Sequence, residues 1–140
     1  MSPVLFDTSV YITALRAGQD ALVALRRSES TSPVWLSSVV LEELYAGAGP
    51  KDHAPVERLE REFDKARRIL VPNLGDWAQT GKVLARLAAK HGYEQIGRGR
   101  LTNDALIATS ASRVGIAVIT ANARDFARLA DYCSLKWSVL

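Results

Sequence analysis

The side chains best placed for chemistry in this 140-residue chain are four acids, Asp7, Glu43, Asp104 and Asp125. Each stands where an apolar element meets a polar turn or a helix start. Asp7 closes the apolar start Pro3-Val4-Leu5-Phe6, and Glu43 falls within Val39-Val40-Leu41-Glu42-Glu43-Leu44. Asp104 opens the helical run Ala105-Leu106-Ile107-Ala108, and Asp125 follows the strand-like Ile116-Ala117-Val118-Ile119-Thr120. In an open parallel sheet the ligand crevice lies at the carboxyl ends of the strands, so acids at strand ends can converge there. Carboxylates that converge repel one another unless a cation neutralises them. A hard divalent metal, and chemistry on phosphate, is the economical reading of the set.

Strand-length apolar runs alternate with helical patterns along the chain. Val4 to Phe6 predicts a first strand, followed by a helix carrying Val10, Tyr11, Ala14 and Leu15 and stopped by Gly18. A short helix is expected near Asp20 to Arg27, then a strand Val34 to Leu36, then a helix capped by Ser37 or Ser38 and running to Gly47. Pro55 suits the first turn of the next helix. Its stripe reads Val56, Leu59, Phe63, Ala66 and Leu70, and its other face carries the pairs Glu57–Arg61 and Asp64–Arg68. A strand near Ile69 to Val71 leads to a helix capped by Asp76, with Trp77, Thr80, Val83, Leu84 and Leu87 inward and Gly92 at its end. Tyr93 to Arg100 reads as a loop, Thr102 to Arg113 as a helix stopped near Gly115, Ile116 to Thr120 as the strongest strand and Leu135 to Val139 as the last. The alternation argues for one α/β domain, residues 1–140, with a mainly parallel sheet.

Each acid has a bland alternative. Asp7 and Asp104 could simply cap helices, and Asp125 could be an ordinary turn acid. Glu43 is harder to dismiss, because Glu is almost never buried unless paired, whereas Glu42 points elsewhere, to solvent. The conjunction carries the case. The segments Val4-Leu5-Phe6-Asp7-Thr8-Ser9, Val40 to Gly47, Asn103 to Ala108 and Ile119 to Phe126 together resemble the motifs of PIN-domain ribonucleases, above all the short VapC toxins of bacterial toxin–antitoxin pairs. The resemblance spans essentially the whole chain with order and spacing preserved.

That resemblance implies a PIN-like α/β/α sandwich and a metal-dependent endoribonuclease. Asp7 and Asp104 would be the principal ligands of Mg²⁺ or Mn²⁺, with Glu43 and Asp125 completing the pocket. Ser9, Thr120 and Asn122 match positions of supporting polar groups. It also implies an RNA substrate, a VapB-type antitoxin and a homodimer. Two other readings stand beside it: a PIN-fold binding module acting through its antitoxin in DNA-bound repression, and a structure-directed DNA nuclease. Arg98 and Arg100, just ahead of Asp104, are candidates for guiding the RNA backbone. The early helices, with Val10, Tyr11, Leu15, Leu22 and Leu25, are expected to offer the antitoxin an apolar surface from which an Arg or Lys reaches the acids.

Composition narrows the rest. No segment has the roughly 18 uninterrupted apolar residues of a membrane span, and the start lacks a secretory pattern. Together with the single cysteine, Cys133, this points to the cytoplasm. Net charge is +3, and setting the four acids aside for metal raises the balance of the remainder to +7. A haloacid-dehalogenase-type phosphatase would need an Asp where Ser9 stands. Gly97-Arg98-Gly99-Arg100 lacks the phosphate-loop pattern. His53 and His91 are too isolated for zinc or a triad. Trp35, Trp77 and Trp137 are read as core.

Overall fold

In the computed structural model, residues 2–18, 32–92 and 100–140 are described. The sheet is built outward from β1 (Val4–Phe6), whose residues are all buried. A strand apolar at every position must be covered on both faces, which is the signature of a parallel sheet in an α/β fold. β1 pairs in parallel with β2 (Val34–Ser37) on one side and with β4 (Ala117–Thr120) on the other. β3 (Ile69–Leu70) extends the sheet beyond β2, and β5 (Trp137–Val139) extends it beyond β4. The order is therefore β3-β2-β1-β4-β5, with every pairing parallel. The chain fills one side of β1 first and the other side afterwards. The reversal lies between β1 and β4, and there the connections diverge and leave a crevice.

Six α-helices are described: α1 (Thr8–Ala17), α2 (Ser38–Gly47), α3 (His53–Lys65), α4 (Leu74–His91), α5 (Arg100–Val114) and α6 (Ala123–Ala130). A 3₁₀ turn, Pro50–Asp52, precedes α3. No described helix is long and apolar enough to cross a membrane. α5 is the central one. Ala105, Ile107, Ala108 and Ala111 are wholly inaccessible, and the three alanines let neighbouring elements come close. α5 ends as the sequence predicts: Gly115, at φ 73°, takes the left-handed position and Ile116 N–H closes back on Ala111 C=O at 3.0 Å. α3 ends with the same kind of closure, Arg68 N–H to Phe63 C=O at 2.9 Å, but there Arg67 holds the left-handed position at φ 57°.

Several sequence expectations need correction. The apolar stripe assigned to α3 overruns it: the helix stops at Lys65, so Ala66 is an exposed turn residue and Leu70 is buried from a strand. Arg68 likewise lies past the helix, so the Asp64–Arg68 spacing is not a helical pair. Asp76 is not the cap of α4. Asn73 is, and Asp76 completes a capping box by accepting from Asn73 N–H at 2.9 Å. Asp76 is also 3% exposed and accepts from Arg113 Nε on both oxygens, at 2.9 and 3.0 Å, which ties α4 to the end of α5. That bond holds the Arg113 guanidinium charged even more firmly than usual. Trp77 is 56% exposed rather than core, while Trp35 and Trp137 are half-buried against it. The helix expected at Asp20 to Arg27 and the loop from Tyr93 lie outside the described residues, apart from Arg100, which opens α5.

The Tyr45 hydroxyl donates to Glu60 Oε1 at 2.6 Å and so links α2 to α3. That bond to an anion, with some desolvation, pushes the Tyr45 pKa up to about 12. A raised folded-state pKa means stability that is complete below the ordinary tyrosine range and disappears as pH rises through the folded value. In a pH titration followed by NMR of its ring, Tyr45 should therefore ionise late, with stability falling between about pH 10 and pH 12. Glu60→Gln should move that ionisation back toward the ordinary range. A Tyr45 ring that still ionises late in the variant contradicts this link.

Candidate active site at the strand switch point

Phe6 and Ile119 are paired in register across β1 and β4, and Asp7 N–H continues the ladder to Ile119 C=O at 2.9 Å. The next residues, Asp7 and Thr120, therefore emerge side by side at the carboxyl ends of adjacent strands. The Thr120 hydroxyl donates to Asp7 Oδ2 in a short hydrogen bond. Asp7 Oδ1 accepts from Ser9 N–H at 2.5 Å and from Ser9 Oγ at 2.7 Å. Asp7 is thus both the N-cap of α1 and a 3%-exposed carboxylate with each oxygen engaged. The capping and site readings of Asp7 do not compete, because one carboxylate fills both positions. Thr120 also accepts Asn122 N–H at 2.8 Å, and Ser9 Oγ accepts Ala121 N–H at 3.2 Å. These bonds fix the turn after β4 against the start of α1.

Glu43 arrives from α2, which packs on α1. It is half-buried, and its Oε1 accepts from Thr8 Oγ1 at 2.7 Å. Glu42 is exposed, as its neighbouring position on the helix requires. Asp104 is the fifth residue of α5, so a capping role is excluded for it. A cleft of about 150 Å³ is lined by Asp7, Thr8, Ser9, Ile12, Glu43, Asp104 and Asn122. Three of the four acids and two of the three expected polar helpers meet there. Thr120 stands directly behind, through Asp7. Asp125 does not line this cleft; it lies in the first turn of α6 and accepts from Asn122 Nδ2 at 2.9 Å. Arg98 lies outside the described residues, and of Arg100 only the backbone is described.

Thr8 is the residue that sequence reasoning missed. Its signal was visible as a hydroxyl at the first helical position beside Asp7, but only the packing of α1 on α2 reveals Glu43 as its partner.

The donor set is all oxygen: three carboxylates, the hydroxyls of Thr8 and Ser9, and the amide oxygen of Asn122. That chemistry fits Mg²⁺ or Mn²⁺ and not a soft metal. Among the described residues no three acids, histidines or cysteines are disposed to hold an ion together. Acids spread around a cleft with room for several waters suit a cation bound through one or two carboxylates and otherwise hydrated, as Mg²⁺ prefers.

The sequence profile of the PIN domain matches residues 4–132. The chain belongs to the PIN-domain family. PIN domains are generally nucleases. No curated protein sequence matches the chain significantly. Among solved structures, DNA-bound VapBC from Salmonella typhimurium is similar at a TM-score of 0.71 and 22% identity, over 99% of this chain and 98% of that one. VapBC2 of Rickettsia felis bound to a promoter fragment gives 0.65 and 20%, over 99% and 98%. FitAcB of Neisseria gonorrhoeae gives 0.65 and 25%, over 96% and 95%. At such identities the likeness is one of fold.

Thr120 is the hinge of this arrangement, and its loss is measurable without substrate. Thr120→Val keeps the volume but leaves the Asp7 carboxylate and Asn122 N–H each short of a partner. We expect a loss of about 1–3 kcal/mol in urea unfolding. A variant as stable as the parent contradicts the hydrogen-bond assignment.

Proposed function

We propose that this PIN domain is a metal-dependent endoribonuclease and the toxin of a type II toxin–antitoxin pair, acting in the cytoplasm. The observation that carries the proposal is the switch-point cleft, where carboxylates from three separate elements face one space large enough for a hydrated cation. A divalent cation bound there would supply a water poised for in-line attack on a phosphodiester and offset charge on the departing oxygen. Asp7 and Asp104 would be its principal holders, with Glu43 supporting. Asp125 would act through Asn122.

The chain's own contribution is positioning. Asp7 cannot swing, because both its oxygens are tied to backbone or hydroxyl donors. Thr8 turns one oxygen of Glu43 toward α1. Preorganised groups of this kind need no rearrangement as charge develops, which is where most electrostatic catalysis arises.

A VapB-type antitoxin as partner is supported by the solved structures of similar fold, which include the two-component complexes VapBC and FitAB. It is supported also by a groove of about 90 Å³ between α1 and α2, lined by Ile12, Leu15, Arg16, Glu43, Leu44 and Asp52. This groove shares Ile12 and Glu43 with the acidic cleft. Val10 and Tyr11, expected on that surface, are instead buried in the core, and Leu22 and Leu25 lie outside the described residues. Ile12 and Leu15, both half-buried, take their place. A peptide seated in the groove would bring a guanidinium within reach of the carboxylates, which it can grip bidentately.

Two outcomes test this reading. Asp104→Asn should lower Mg²⁺-dependent RNA cleavage by roughly three orders of magnitude or more, with the fold intact. It is the cleaner variant, because Asp7 also caps α1. Near-parental cleavage, or cleavage of DNA in preference to RNA, would overturn the assignment. In the second test, a cognate antitoxin peptide containing Arg should reduce Mg²⁺ affinity, and replacing that Arg by Ala should restore it. Inhibition without any change in Mg²⁺ affinity would contradict the guanidinium model.

A further inference from the structure

Charge is spread unevenly over the helical surfaces. On α3, Arg58, Arg61 and Lys65 are interleaved with Glu57, Glu62 and Asp64, the usual mixture of a solvated face. α4 is different. Its one acid, Asp76, is buried against Arg113, and its exposed surface carries Lys82, Arg86 and Lys90 with no acid among them. At four-residue intervals the three form a single ridge with steps of about 6 Å. Among the described residues none of the three is ion-paired. The helix dipole favours Lys90 in the last turn but does not reach Lys82 or Arg86.

The ridge also has a direction. α4 and α5 run antiparallel, with Asp76 meeting Arg113 and Thr80 meeting Thr109. Continuing that register brings Arg86 level with Asn103, next to Asp104 of the acidic cleft. Beside the ridge, Ala78, Gly81, Ala85 and Ala89 are exposed and small, and nothing lies within 4 Å of a Cβ built on Gly81. A chain laid along the cations would meet no bulky side chain there. Toward the start of α4, about 140° around the axis from Lys82 and across the small residues Gly81 and Ala78, Trp77 stands 56% exposed. A step of about 6 Å is on the order of the separation between neighbouring phosphates along one strand, so each cation can meet a phosphate of its own. Unstacked bases are those that an exposed indole can bind.

We propose that Lys82, Arg86 and Lys90 form a phosphate track along α4 that seats single-stranded RNA leading to the cleft, with Trp77 as a stacking surface beside its far end. This deepens the nuclease reading and rests on it.

The test compares Lys82→Ala/Arg86→Ala/Lys90→Ala with a control of equal charge change, Arg58→Ala/Arg61→Ala/Lys65→Ala. All six positions are exposed and alanine is the best helix former, so both variants should fold, as circular dichroism would verify. Binding of a single-stranded RNA of about 12 nucleotides is measured between roughly 50 and 200 mM salt without divalent metal. The α4 variant should bind roughly tenfold or more weakly, and the slope of log affinity against log salt should flatten by about 2. The control should keep the parental slope. Trp77→Ala should weaken binding without altering the slope. Equal slopes for the two triple variants overturn the track, as does equal or stronger ridge-dependent binding of duplex DNA. If the parent cuts RNA and the slope survives, only the track fails. If the parent neither binds nor cuts RNA, the nuclease reading fails with it.

Discussion

Asp7 and Thr120 are 113 residues apart, and the hydrogen bond between them exists only because β1 and β4 are adjacent, parallel and in register. A shift of one residue in that pairing would turn Thr120 to the other face of the sheet. Asp7 would then lose the hydroxyl donor that β4 supplies. The switch point is therefore more than a gap between diverging connections. It is stitched by side chains, and the same stitches hold the first carboxylate in one orientation.

The rest of the cleft is assembled around that fixed point by packing. α2 leans on α1 and delivers Glu43 to Thr8. α5 runs through the core on alanines and delivers Asp104 near its start. Far from the cleft, Asp76 and Arg113 clamp the opposite end of the α4–α5 pair. Two buried aspartates thus have opposite employment. Asp76 is paired with a cation within the protein, whereas Asp7 is surrounded by neutral donors and faces the cleft. The second arrangement leaves the charge of the carboxylate available to a ligand.

Much of this was legible in the sequence. Apolar runs marked β1, β2 and β4, because strands covered on both faces must be apolar throughout. Gly18, Gly92 and Gly115 marked helix ends through the left-handed backbone that they permit. The acids Asp7, Glu43 and Asp104 stood out because each interrupted an apolar context. What was not legible depended on the third dimension. Asp76 looked like a cap, since a single sequence does not reveal Arg113 as its partner 37 residues on. Trp77 looked like core because its helical spacing fits the buried stripe, yet it falls on the stripe's edge and opens to solvent. Val10 and Tyr11 looked available to a partner, but the sheet takes them and leaves Ile12 and Leu15 to the groove.

The most direct test of the central claim, that the switch-point cleft holds the working metal, is anomalous diffraction from crystals soaked in Mn²⁺. The account predicts a peak within coordinating distance of the Asp7 or Asp104 carboxylate, partly hydrated, and absent from crystals of the Asp104→Asn variant. A cleft without Mn²⁺ in crystals of protein that cleaves RNA when Mn²⁺ is supplied would contradict it.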